Sequence, residues 1–280
     1  MILFLAALLA QDAAPDLSSV PADLATPVMT RGEPGPGKRV RQTTPGWEDG
    51  DVHHALYLPR DWKPDARYPV IVEYAGNGGY KNAFGDVSNG SVDGSNLGYG
   101  ITGGEGFVWV CLPCVKKTDG RKENATTWWG DVDETKRYCL RTVAMVCGKF
   151  GGDPKRLVLA GFSRGAIGCN YVGLHDDEIA PLWRAFITFS HYDGERTTWG
   201  YPGADRASAL DRLRRLKGRP QFISMETSVE PIRKYLEGTG IAGDFTFRSI
   251  PFRNHSDQWT LRDIPERQAV RDWLKKALKD

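Results

Sequence analysis

Two periods of apolar residues alternate along the chain. Short runs rich in Val, Ile, Leu, Phe and Tyr at residues 54–58, 70–74, 107–112, 156–160, 185–189, 221–225 and 245–251 read as strands. Between them lie stretches with helical spacing. The clearest opens at Asp131, which can cap a helix with Glu134 three positions on; Cys139, Val143, Val146, Cys147 and Phe150 then share one face, and Gly151-Gly152 ends it. A second helix is expected over 164–174, and a last one carries Val270, Trp273, Leu274, Ala277 and Leu278. A glycine-rich loop is expected over 76–106 and a polar loop over 116–124. Strands alternating with amphipathic helices predict an α/β fold, a mostly parallel sheet with helices on both faces.

The N-terminal part has a different texture. Residues 2–10 form an apolar run, too short for the roughly 20 residues that cross a bilayer. It reads as the core of a signal peptide occupying 1–14 and cut near Ala10 or Ala14, which implies a secreted or periplasmic protein with no stable membrane span. Residues 15–38, rich in proline and glycine without a period, read as a linker or extended strap, leaving 39–280 as a single domain. A formal charge of +2, without a basic stripe interleaved with aromatics, argues against nucleic acid as a partner. The five cysteines read as buried small side chains or as holding one disulfide. Cys139 and Cys147 cannot be that pair, because eight helical residues separate them by about 12 Å, beyond the roughly 7 Å Cα limit.

Candidate chemistry centres on Gly161-Phe162-Ser163-Arg164-Gly165, between a predicted strand and a predicted helix. A serine on so sharp a turn is exposed for attack, and glycines two positions either side let strand and helix approach closely. A serine hydroxyl needs a histidine base, and the base needs a carboxylate to fix its tautomer. His255, after the last predicted strand, fits the base. For the acid, Glu230 is narrowly preferred to Glu226, both near the end of the strand at 221–225, with Asp193 third. Backbone N–H groups of Arg164 and of the loop Gly76-Asn77-Gly78-Gly79, above all Asn77, are candidates for an oxyanion hole. His53, His54 and His175-Asp176-Asp177-Glu178 show no metal-ligand spacing, and acyl transfer of this kind requires no cofactor.

These residues resemble the α/β-hydrolase superfamily, within it the feruloyl-esterase and polyhydroxybutyrate-depolymerase-like branch of exported esterases. Matching parts are Gly76-Asn77-Gly78-Gly79, Trp128-Trp129-Gly130-Asp131, the stretch from Asp153 through Ser163 to Gly165, and Asn254-His255. Departures are Ala75, where such esterases usually carry histidine, Arg164, and a glutamate as acid. Arginine after the nucleophile also resembles glucuronoyl esterases, which implies a side-chain donor to the oxyanion; the alternative is an arginine capping or salt-bridging the helix surface. The resemblance implies an esterase acting on a small-molecule or polysaccharide ester. Trp128, Trp129, His191, Trp199 and Trp259, in or beside loops at the strands' C-terminal ends, are candidates to line its groove. Alternatives are a peptidase of the prolyl-oligopeptidase type and a catalytically silent binding protein on the same fold.

Overall fold

A computed structural model of the chain describes residues 14–279, so the apolar run expected to be a leader lies outside the described residues. Strands β1 (Arg39–Gln42), β2 (His54–Tyr57) and β3 (Tyr68–Tyr74) lead into a small hairpin of β4 (Tyr80–Lys81) and β5 (Val87–Ser88). Helix α1 (Leu97–Thr102) and β6 (Val108–Leu112) follow, then a second hairpin of β7 (Cys114–Thr118) and β8 (Arg121–Ala125). Next come α2 (Val132–Lys149), β9 (Gly152–Phe162), α3 (Arg164–Tyr171), β10 (Ala185–Phe189) and α4 (Arg206–Arg214). The chain closes with β11 (Gln221–Glu226), α5 (Glu230–Thr239), β12 (Phe245–Ile250) and α6 (Pro265–Ala277).

Eight strands form the main sheet in the order β1-β2-β6-β3-β9-β10-β11-β12. From β6 to β12 every pairing is parallel, and only β1 with β2 and β2 with β6 run antiparallel. The central strands are apolar on both faces because each face meets helices. Val70, Val72, Leu157, Leu159 and Phe186 pack with Tyr138, Val143 and Val146 of α2, Ile167 of α3 and Ile232 of α5. On the opposite face Ile71, Val158, Ala160 and Ile187 pack with Leu97 and Ile101 of α1 and Val270 and Leu274 of α6. Each such aliphatic side chain contributes about 1.5–3 kcal/mol by leaving water.

Two expected loops are hairpins. In the stretch 116–124, Asp119 and Gly120 both have positive φ (49° and 81°) between the paired residues Thr118 and Arg121. That is the mirror-image turn that Asp-Gly favours. The glycine-rich loop contains β4, β5 and α1. Asp131 caps α2 as expected, its carboxylate accepting from Glu134 N. Strand β9 begins at Gly152, four residues before the expected start at 156, and takes in Asp153-Pro154, with a bulge after the Tyr68–Gly152 pair.

Residues 15–38 run along the body. Asp23 and Leu24 N–H groups donate to Leu261 O, the Asp23 carboxylate meets Arg267 at 2.6 and 2.7 Å, and Leu17 N donates to Asn254 Oδ1 at 2.6 Å. None of the five cysteines is bonded to another; all are buried except half-buried Cys147. Among the described residues no helix is long and apolar enough to cross a membrane.

The tightest approach lies between β9 and α3. A Cβ on Gly165 would fall within van der Waals radii of the Tyr74 carbonyl, and one on Gly161 would overlap the backbone of Gly165. Gly165→Ala is therefore expected to cost on the order of 3 kcal/mol, read as a lower urea midpoint with unchanged slope.

Candidate active site

Ser163 sits where β9 ends and α3 begins, at φ 54° and ψ −114°. A non-glycine residue adopts this only where its surroundings impose it, and here the contacts of Gly161 and Gly165 with the sheet do so. Ser163 Oγ lies 3.0 Å from His255 Nε2, and His255 Nδ1 lies 2.7 Å from Glu226 Oε1. Serine, imidazole and carboxylate thus form one hydrogen-bonded line, in the chain order serine, acid, histidine.

The order of preference among the acids is corrected by this geometry. Strand β11 runs one residue further than expected and ends on Glu226, whose side chain is buried against His255. Glu230 begins α5, half exposed, and pairs with Arg233 at 2.9 Å. Asp193 is committed elsewhere, held by Arg212 at 2.7 and 3.1 Å. Burial pushes its carboxyl up, against the pull of Arg212. Burial also acts to raise Glu226, but His255, with His191 adding to it, outweighs that and holds the carboxyl below its usual value. A carboxylate kept ionised beside Nδ1 fixes the tautomer in which Nε2 is free to accept the serine proton.

The loop after β3 packs against the residues flanking the serine, with Gly76 against the Phe162 ring and Ala75 O near Arg164 Nε. The N–H groups of Asn77 and Arg164 donate to no acceptor among the described residues. Gly78 is different: its N–H donates to Thr126 O at 2.7 Å, which removes it from the candidate oxyanion donors. Asn77 Oδ1 accepts from Trp128 N at 2.7 Å.

Neither expectation for the Arg164 side chain matches its placement. The guanidinium is buried and donates to Trp128 O (2.7 Å), Ala125 O and Gly90 O (both 3.2 Å) and Ala75 O (3.5 Å). It ties three loops around the serine together and is spent on backbone carbonyls. Trp128, at φ 46°, is held from both sides of the chain, by Asn77 at its N–H and by Arg164 at its carbonyl.

The aromatic candidates divide. From His255, ring contacts run to His191 (5.4 Å), on to Trp199 (5.1 Å) and on to Trp128 (5.8 Å). Trp129 instead stacks on Tyr171 at 4.6 Å in the core, and Trp259 is buried against Phe189. Neither is placed to meet a ligand, because both fill space beneath the loops. His54 is buried with Nδ1 2.8 Å from Tyr138 Oη, and Lys136 pairs with Asp176 and Glu178. Among the described residues no group of three or more His, Cys, Asp and Glu side chains could hold a metal ion.

Three residues at the site carry no motif. Asp86, in the β4–β5 hairpin, accepts His255 N at 2.8 Å and Asn254 Nδ2 at 2.9 Å, while Tyr80 of the same hairpin packs on the imidazole at 4.6 Å. Ser190, at the end of β10, places its hydroxyl 2.9 Å from His255 Nδ1. The Asn82-to-Ser88 turn chemistry was a signal for the hairpin; nothing in the sequence marks Ser190.

No family model and no curated protein matches this chain. Solved structures do. A thermophilic esterase, Est2, of the planctomycete Thermogutta terrifontis, with propionate bound, is 20% identical with a TM-score of 0.53, over 86% of this chain and 92% of that one. Esterase Est22 with p-nitrophenol is 14% identical with a TM-score of 0.57, over 87% and 80%. The fold is that of the α/β-hydrolases. A Bacteroides ovatus protein described as a dipeptidyl aminopeptidase IV is 15% identical with a TM-score of 0.54 over 80% of this chain, which spans only 33% of that protein.

Within this α/β-hydrolase fold, Arg164 is the residue whose loss would be felt across most loops. Arg164→Lys keeps the charge but replaces a planar fork with a single point of donation, leaving buried carbonyls unpaired. Unfolding in urea is expected to show a loss of about 2–3 kcal/mol.

Proposed function

We propose that this chain is an exported serine esterase that cleaves carboxylic esters through an acyl-serine intermediate. The observation that carries the reading is the line Ser163 Oγ, His255, Glu226, at 3.0 and 2.7 Å, on a serine held in a strained turn. His255 Nε2 takes the hydroxyl proton as Ser163 Oγ attacks the ester carbonyl carbon. The oxygen that gains charge is met by the N–H groups of Asn77 and Arg164. His255 then returns the proton to the departing alcohol, and water, activated by the same imidazole, releases the acid and restores the serine. Glu226 stabilises the imidazolium that exists between these proton transfers. All of this is done by the chain's own groups.

Esterases among the structural neighbours support the ester over the amide as the bond cleaved. His191, Trp199 and Trp128 form an aromatic wall leading away from the base. Such a wall suits a flat apolar group, an aromatic acyl or a sugar ring of a polysaccharide, stacked on tryptophan. Export rests on the apolar run at 2–10.

Hydrolysis of short-chain p-nitrophenyl esters tests the reading. Ser163→Ala and His255→Ala are each expected to lower kcat by about 10³-fold or more. Glu226→Gln is expected to lower it steeply while Glu230→Gln leaves it unchanged. Hydrolysis of a p-nitroanilide in preference to the ester would favour the peptidase reading, and equal activity in wild type and Ser163→Ala would end the esterase one.

A further inference from the structure

The imidazole of His255 has more than one neighbour at Nδ1. Besides Glu226, Ser190 Oγ lies 2.9 Å away, and the same hydroxyl lies 3.0 Å from His191 Nδ1. Ser190 is fully buried and has φ 86°, a conformation that a serine rarely adopts. Its N–H is used by Ser224 O at 2.8 Å, which holds the backbone in place. Strain of this kind costs about 1–3 kcal/mol and glycine would avoid it, so the retained hydroxyl calls for a function.

The protons can be placed in one consistent way. His191 is half-buried, and desolvation of its ring, with the neighbouring His255, lowers its pKa to about 3. It is therefore neutral at working pH, and its Nδ1 can accept the Ser190 proton if its own proton is on Nε2. The oxygen of Ser190 then turns a lone pair to His255 Nδ1–H, which is shared between Ser190 and Glu226.

We infer that Ser190 is a positioning residue for the proposed base, a second acceptor that, backed by His191, steadies His255 as it becomes positively charged. This rests on the esterase reading above. Ser190 acts through the imidazole that its hydroxyl meets. The hydrogen bond strengthens when His255 takes the Ser163 proton and weakens when the proton leaves, so its contribution falls on the charged state and lowers the barrier. The groups facing His255 are Glu226 from β11, Ser190 and His191 after β10, Tyr80 from the β4–β5 hairpin and Asp86 at its backbone N–H; Arg196 adds its field at His191.

Ser190→Gly separates this function from a structural one, because it deletes the hydroxyl and relieves the backbone. The variant is expected to melt at or above the wild-type temperature while kcat for p-nitrophenyl acetate falls about 10- to 100-fold, the usual effect of losing a hydrogen bond to a charged group. KM is expected to stay within about twofold, and the lower limb of the pH–rate profile to move to lower pH. Ser190→Ala is expected to show the same kinetic loss without the gain in melting temperature. Wild-type kcat and pH profile in Ser190→Gly would overturn the inference. Imidazole ¹⁵N titration of His255 reads the same bond whether or not an ester is turned over. A midpoint lower in Ser190→Gly than in wild type supports the inference, and an unchanged one sinks it. Wild-type protein that neither hydrolyses esters nor reacts with a fluorophosphonate would instead sink the esterase reading.

Discussion

The backbone of α3 lies against the end of β3 so closely that residue 165 can have no side chain, and the backbone of β9 meets α3 so closely that residue 161 can have none. This contact fixes the direction in which the chain leaves the sheet, and hence the φ of +54° at Ser163. The strain is sustained because the flanking elements are buried in both halves of the core, whose contacts outweigh it many times over. Arg164 extends the constraint outward. Its carbonyl partners at Ala75, Gly90 and Trp128 in loops and at Ala125 at the end of β8 lie around the serine turn, so the turn that exposes the hydroxyl is tied to its surroundings.

Buried carboxylates show how differently the same group can be accommodated. Asp193 is neutralised by Arg212 and anchors a loop to α4. Glu73, near the C-terminal end of β3, accepts from Leu97 N, Gly98 N and Trp109 Nε1 and so docks the start of α1; burial, with the nearby Asp257 carboxyl, pushes it up to about 7. Glu226 alone of the three has a titratable partner that in turn touches a serine. Its ionisation is therefore linked to a group that can exchange a proton with the site, which is the arrangement acid–base chemistry needs.

What could be read from the sequence follows from the range of the forces involved. The sheet and its helices were legible because burial on one face or two imposes a period that local sequence records, and Ala185–Phe189 begins and ends where the pattern does. That Ser163 stands on a sharp turn and His255 follows the last strand was legible because both signals are local. Which carboxylate meets His255 was not. Whether Glu226 or Glu230 meets His255 depends on whether β11 ends at Met225 or one residue later, a matter decided by pairing with β12 up to Ile250. The hairpin at 114–125 was missed because its side chains are polar and mostly half-buried or exposed, without apolar alternation, although Asp119-Gly120 carried the turn signal. Gly78, Trp129 and Trp259 were misjudged for a common reason: residue type and loop position do not say which way a group faces.

His255 belongs to no helix or strand, and its placement is assembled from distant parts of the chain. Glu226 holds the ring, Asp86 holds the backbone N–H, and the preceding Asn254 is gripped by Asp86 on one side and by Leu17 N on the other. Arg253 N donates to Pro15 O, so the strap reaches the loop at two successive residues. A loop residue held this way loses little entropy when a ligand arrives, since its order is already set by the folded chain. The strap at 15–38 is accordingly more than a covering segment: by closing over residues 253–267 it becomes part of what keeps the imidazole within reach of the serine.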